Sequence, residues 1–194
     1  MRLLDNPRLL QRTALLLILC ACMPLGNAAY MTAKAGLAQV LLQSAWQQRL
    51  ETGVAVKPWP WADTSPIARL RVARLGADEI VLSGDSGRTL AFGPGWAESS
   101  AVPGAPGLSV VSAHRDTHFA FLRDLVDGDA VRIDSARGAS EYRIVSTRIV
   151  DSASERIDSG DDVDALLLVT CYPFDALTTG GSLRYVVTAV RVPD

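Results

Sequence analysis

Aromatic residues make up only 6% of this 194-residue chain, and it holds just three cysteines and two histidines. No basic run interleaved with aromatics appears anywhere, and beyond Lys34 fifteen basic residues face twenty acidic ones, a net of −5. Nucleic-acid binding calls for a basic face, so no nucleic-acid partner is expected. There is no internal repeat, no low-complexity tract, no glycine-rich phosphate loop and no clustered metal-ligand motif. No cofactor or metal is therefore expected, and the length suits one compact domain with a targeting segment rather than two domains. Two of the cysteines, Cys20 and Cys22, lie in an apolar N-terminal stretch, which leaves Cys171 without an intramolecular disulfide partner. In an exported domain such a thiol is either paired between molecules or kept free for chemistry.

What is present begins with residues 13–33, which carry no charge. A helix of that length rises about 30 Å, the thickness of a bilayer core. Up to Lys34 there are four basic residues (Arg2, Arg8, Arg12, Lys34) against Asp5, a net of +3, with three arginines ahead of the apolar stretch. The positive-inside bias then predicts a cytoplasmic N-terminus and an exported remainder. A cleaved signal peptide is the rival reading, with 13–23 as its apolar core and Gly26-Asn27-Ala28 supplying small residues at the cleavage spacing. The uncleaved anchor is the expectation carried forward, and both readings export the domain. Cys20 and Cys22 are read as small apolar residues of the anchor rather than as a lipidation site.

Leu37, Val40, Leu41 and Trp46 continue at near-helical spacing, so the helix is expected to run on to about Leu50. Trp46 then sits either at the membrane interface or against the domain. Lys57-Pro58-Trp59-Pro60-Trp61 breaks helix and reads as a linker. The expected division is an anchor or signal segment over 1–34, a helix and Pro/Trp linker over 35–61, and a globular domain over 62–194. Within that domain, runs at 67–75, 80–82, 108–113, 130–133, 142–150, 166–170 and 185–192 are apolar or β-branched and are punctuated by Gly, Asp, Ser and Pro. One short helix is expected over 119–126. Many short strands in about 130 residues predict an all-β, closed or nearly closed barrel.

Reactive side chains sit where such strands end. Leu166-Leu167-Leu168-Val169-Thr170 stops at Cys171-Tyr172-Pro173-Phe174. A strand end holds a nucleophile rigidly yet opens it to a cleft, although a free cysteine is as often a small buried hydrophobe. Ser109-Val110-Val111-Ser112-Ala113 runs into His114-Arg115-Asp116-Thr117. A thiol with its ordinary pKa of about 8.5 is mostly protonated at neutral pH, and a nearby imidazole can take its proton. His118, beside the expected helix, reads instead as an inert polar residue. Arg184 opens the last strand, and a permanently charged guanidinium suits a developing oxyanion. Alone among seventeen arginines it reads equally as a surface residue.

Taken together, Ala113-His114-Arg115-Asp116-Thr117, Leu168-Val169-Thr170-Cys171-Tyr172-Pro173-Phe174 and Leu183-Arg184-Tyr185-Val186-Val187 resemble the sortase family of cysteine transpeptidases, in order as well as separation. The resemblance covers residues 67–192. It implies an eight-stranded sortase-type β-barrel with one or two short helices behind an N-terminal transmembrane helix. It implies Cys171 as nucleophile, His114 as its partner and Arg184 as the arginine of the site. It further implies a sorting-motif-bearing protein substrate, an amine acceptor, and a single-pass position in the inner membrane with the domain on the periplasmic side. Ala35-Gly36-Leu37-Ala38-Gln39-Val40-Leu41-Leu42 with Ala45-Trp46 looks like the Gram-negative subgroup. Ala113 stands where the family usually has glycine, and Leu167 where its cysteine motif usually begins with threonine.

Thr170 has two readings, a cleft-shaping hydroxyl or a β-former at a strand end, and Asp116 is read as serving its own turn. Some sortases bind calcium in a loop corresponding to 151–164. Here that stretch lacks the ligand spacing of an EF-hand and reads as a solvated acidic loop, with Asp161 or Asp162 capping a helical turn. Rival classes are another cysteine transpeptidase or protease, and a non-catalytic exported β-domain that binds a partner. The charge pattern makes one testable statement about topology. A reporter fused after Asp194 should be active only outside the cytoplasm, and a cytoplasmic signal would overturn the assignment.

Overall fold

A computed structural model describes residues 7–155, 164–176, 178 and 180–193. By their internal contacts, Met1–Val40 and Leu41–Asp194 form two separate units. The described part of the first is helical and belongs to α1, Pro7–Thr52. From Gln11 the helix is long and apolar enough to cross a membrane, with Pro24 inside it. The last turns of α1 belong to the second unit. Leu42 and Trp46 are fully buried there in a cluster with Ile80 and Leu82, joined by the half-buried Phe92. Of the two readings of Trp46, the structure therefore gives docking. Trp59 extends this contact, meeting the edge of Phe92 at a centroid separation of 5.0 Å.

Eight strands make a closed barrel in the order β1-β2-β3-β4-β7-β8-β6-β5. They are β1 Pro66–Val72, β2 Ala77–Ser83, β3 Gly95–Trp96, β4 Leu108–Ser112, β5 Ala130–Ser135, β6 Gly138–Asp151, β7 Ala165–Cys171 and β8 Leu183–Arg191. The β2–β3 and β4–β7 pairs are parallel, whereas β1–β5, which closes the barrel, and the remaining pairs are antiparallel. The interior is filled. Leu70, Val72, Val81, Val111, Phe119, Leu122, Val131, Ile133, Tyr142, Leu166, Leu168, Val187 and Ala189 are among its fully buried residues.

Several elements differ from the expected ones. The run at 67–75 leaves the sheet after Val72, because Ala73–Leu75 form a 3-10 turn that Gly76 ends at φ 64. That turn aims Arg74 at Asp129, which it meets at 2.6 Å through both carboxylate oxygens. The Asp129 carboxyl is held below its ordinary range mainly by this Arg74 contact, against the opposing effect of burial. The helix expected over 119–126 is a single 3-10 stretch, Ala120–Asp124, which buries Leu122. Two elements had no legible pattern: the one-turn helix α2, Gly87–Leu90, capped by Ser86, and the two-residue β3. Gly95 of β3 is fixed by close approach, since a Cβ there would lie 2.4 Å from the Gly84 carbonyl oxygen. Asp158, Asp161 and Asp162 of the acidic stretch lie outside the described residues.

Trp46→Ala is expected to destabilise the 41–194 unit by about 3–5 kcal/mol, the usual cost of emptying a buried aromatic site. Thermal melting of the full chain in detergent would read this as a lowered midpoint. An unchanged midpoint would mean that the α1 contact contributes nothing to the barrel.

Candidate active site

The candidate residues come from three strands that lie side by side in the barrel, β4, β7 and β8. In β7 the continuous apolar run is buried on both faces. Leu166 and Leu168 point to the interior cluster. Leu167 and Val169 join Val150 and Val186, with the half-buried Leu108 and Val110, in a second cluster. Alternation along a strand puts Cys171 on the same face as Leu167 and Val169, the outer one. Cys171 is the last residue of β7 and is half-buried. Tyr172 donates one more backbone bond to the Leu183 carbonyl, and Pro173 then has no N–H to offer.

Arg184 lies directly opposite Cys171 in the antiparallel β7–β8 register. Opposed residues share a face, with Cα atoms roughly 4.5–5.5 Å apart. The parallel β4–β7 register pairs Ser112 with Val169, and the Ala113 N–H donates to the Val169 carbonyl at 3.2 Å. The chain then leaves β4 with His114, exposed at the same rim. Thr170 turns inward, and its buried hydroxyl donates to the Ala113 carbonyl at 2.7 Å. Of its two readings, the structure gives the β-former at a strand end, since Thr170 is next to last in β7. Thr170 ties the residue before Cys171 to the residue before His114.

The remaining side chains divide clearly. His118 is taken by Glu79, with Nδ1 2.8 Å from a carboxylate oxygen. Among the described residues, neither the His114 ring nor the Cys171 thiol has a hydrogen-bond partner, so both are available. Asp116 is exposed and does not close its own turn. The backbone bond from the Phe119 N–H to the His114 carbonyl, 3.0 Å, does so. Arg184 Nη1 donates to the Gly181 and Leu183 carbonyls at 2.7 and 2.9 Å, which leaves Nη2 and Nε open among the described residues. Beside it, Asp151 is held below the usual carboxylate range, first by the Ala153 N–H, then by Ser182, with the Arg184 charge adding to both. Among the described residues no group of three or more His, Cys, Asp or Glu could hold a metal ion.

Two arginines near the site carried no distinct signal in the sequence. Arg115 follows His114 directly, and its Nη2 donates to the Ala176 and Thr178 carbonyls, both at 2.9 Å. Arg123 lies 4.9 Å over the Phe174 ring and 3.3 Å from Asp175. Phe174 in turn packs with Tyr172 and Tyr185 at centroid separations of 6.3 and 5.2 Å. The β7–β8 register thus sets the Cys171 thiol opposite the Arg184 guanidinium, and the chain leaves the neighbouring β4 with His114 at the same rim. That combination suits acyl transfer from an extended peptide.

Comparison with known proteins agrees with this fold. A family profile described as the Sortase domain matches residues 70–192. Sortase D of Bacillus subtilis (strain 168) is 32% identical over 124 residues, which cover 63% of this chain and 62% of that protein. The match thus spans less than two thirds of that relative's length. The structure of a Clostridium perfringens Sortase D5 transpeptidase superposes with a TM-score of 0.65 at 18% identity, covering 81% of this chain and 99% of that one. Sortase A from Corynebacterium diphtheriae gives 0.60 at 21% identity, covering 80% and 84%. At these identities the structural likeness establishes the fold, an eight-stranded sortase-like barrel.

The half-buried, unpartnered Cys171 should react in the folded state. Peptide-resolved mass spectrometry after thiol alkylation of the full chain in detergent should find Cys171 modified without unfolding. Modification that appears only in denaturant would show a buried structural cysteine instead.

Proposed function

Because the chain belongs to the sortase family, and sortases are cysteine transpeptidases, we propose that it is a membrane-anchored transpeptidase of the Gram-negative subgroup with Cys171, His114 and Arg184 as its reacting set. The observation that carries this is the register that sets Cys171 opposite Arg184, with His114 leaving the neighbouring strand at the same rim.

In the proposed cycle a partner protein presents an extended sorting motif near its C-terminus. The Cys171 thiolate adds to a backbone carbonyl of that motif. Negative charge develops on the carbonyl oxygen, where the open nitrogens of Arg184 and backbone N–H groups stabilise it. As the tetrahedral species collapses, His114 gives a proton to the departing amine, the C–N bond breaks, and a thioester remains on Cys171. An acceptor amine then attacks the thioester, His114 takes up its proton, and the thiolate leaves. One amide is exchanged for another, so no ATP is consumed. An uncleaved α1 would hold the barrel on the periplasmic side of the inner membrane and raise its effective concentration towards membrane-tethered substrates.

Incubation of the purified chain with a candidate sorting peptide and an amine, followed by mass spectrometry, should reveal both a Cys171 thioester and a ligated product. Cys171→Ala and His114→Ala should each nearly abolish turnover. Arg184→Lys keeps the charge but loses the planar fork and some reach. It should lower turnover about 100- to 1000-fold, roughly 3–4 kcal/mol, with little change in melting temperature. Arg88→Lys, at an exposed side chain of α2 that pairs with Asp63, is the control and should behave like the unaltered chain. Near-normal turnover in Arg184→Lys would remove Arg184 from the oxyanion role.

A further inference from the structure

The connection between β7 and β8, residues 172–182, begins beside Cys171 and ends beside Arg184, yet its described residues contribute no strand. Ser152 holds the Ser182 carbonyl at its end, and guanidinium groups meet it at further points. Arg184 holds its end through the Gly181 carbonyl. Arg123 touches its start through Asp175, but that carboxylate is 90% exposed, and exposed pairs of this kind are weak. Its middle is held by Arg115, whose single Nη2 donates to two backbone carbonyls, Ala176 and Thr178, both at 2.9 Å. These bonds bridge 61 and 63 residues of sequence. The residue that makes them is covalently next to His114. Displacement of this loop therefore pulls on the backbone that carries the imidazole, and motion of His114 is resisted by the loop that joins the thiol to Arg184.

We propose that Arg115 is a positioning residue that latches the β7–β8 loop to the His114 segment through the Ala176 and Thr178 carbonyls and so fixes the imidazole relative to Cys171. The proposal rests on the reading of Cys171 and His114 as the reacting pair. It assigns Arg115 no contact with substrate. Backbone carbonyls are the acceptors, so the latch does not depend on the side chains of the loop. Lysine offers a shorter, single-point donor and should hold the loop only in part.

The test uses the full chain in detergent and needs no substrate. Hydrogen exchange is followed over 172–182 and over the flanking strands, and the pH profile of Cys171 alkylation by iodoacetamide is followed by peptide-resolved mass spectrometry. In Arg115→Ala, loss of two hydrogen bonds should speed exchange in the loop roughly ten- to hundredfold, leaving β7 and β8 as protected as before. The alkylation profile should move away from that of the unaltered chain in the direction of His114→Ala, and Arg115→Lys should fall between. Arg69→Ala, which breaks an arginine–aspartate pair on β1 and β2, should alter neither readout. Unchanged loop exchange in Arg115→Ala would overturn the latch. So would faster exchange spread over the whole barrel, because Arg115 would then serve only stability. Faster loop exchange with an unaltered alkylation profile would overturn the positioning role. If His114→Ala itself leaves the profile unchanged, the reacting pair is misassigned and the proposal falls with it. Absence of ligation in the unaltered chain would count against the transpeptidase reading alone.

Discussion

The parallel pairing of β7 with β4, flanked on its other edge by antiparallel β8, is the constraint on which the site depends. Parallel neighbours cannot be joined by a hairpin, so the chain must leave one rim after Ser112 and re-enter at the opposite rim, at Ala165, before it can pair. It spends that excursion building β5 and β6, which close the barrel through β1 and β8. The result is that β4 and β7 point the same way and end together, with Ala113–His114 and Cys171 at one rim. Because β8 runs the other way, it brings its beginning, Arg184, to that same rim. Burial of β7 on both faces keeps this register from slipping, since a one-residue shift would exchange the interior set Leu166, Leu168 and Thr170 with the outer set Leu167, Val169 and Cys171.

Arginine does most of the polar work around this frame, in two different ways. On β1, Arg69 and Arg71 meet Asp78 and Asp134, and Arg74 in the following turn meets Asp129. These pairs fasten neighbouring strands and the 3-10 turn. Elsewhere arginines reach backbone carbonyls: Arg115 at Ala176 and Thr178, Arg143 at Gly128, Arg184 at Gly181, and Arg191 at Gly104. Arg191 also meets Ser140 and approaches Asp164 at 3.7 Å, so the far end of β8 is a structural clamp. For Asp129 the sign of the pH dependence follows from its cause. A carboxyl held low by Arg74 contributes stability that is present above the ordinary carboxylate range and lost as the pH falls through its lowered pKa.

The two histidines show how near in sequence and how far in role two like residues can be. His114 leaves β4 at the rim and has no partner among the described residues, whereas His118, four residues on, is anchored to Glu79 of β2. The turn between them is closed by the backbone bond from Phe119 to the His114 carbonyl, and Phe119 itself is fully buried. One side chain is thus spent on holding the loop, and the other is left exposed at the rim.

The sequence by itself determined the class of fold, the strand-end positions of Cys171 and His114, and the long apolar helix, because these follow from local quantities: the alternation of apolar residues, the punctuation by glycine and proline, and the length of an uncharged run. It also isolated Cys171 as the one thiol outside the apolar segment, and the order of three motifs carried the resemblance to a family. The details it left open depend on partners distant along the chain. The period of 67–75 could not reveal that Gly76 and Asp129 would turn the last three residues out of the sheet. A two-residue strand such as β3 has no period at all, and its glycine is explained only by the Gly84 carbonyl beside it. Among seventeen arginines, composition could not distinguish Arg184, opposite the thiol, from Arg115, bonded to a loop about sixty residues away, or from Arg191, which clamps the far end of the same strand. The order of the motifs singled out Arg184, whereas the acceptors that each guanidinium meets were decided by the tertiary structure, because only folding brings them together.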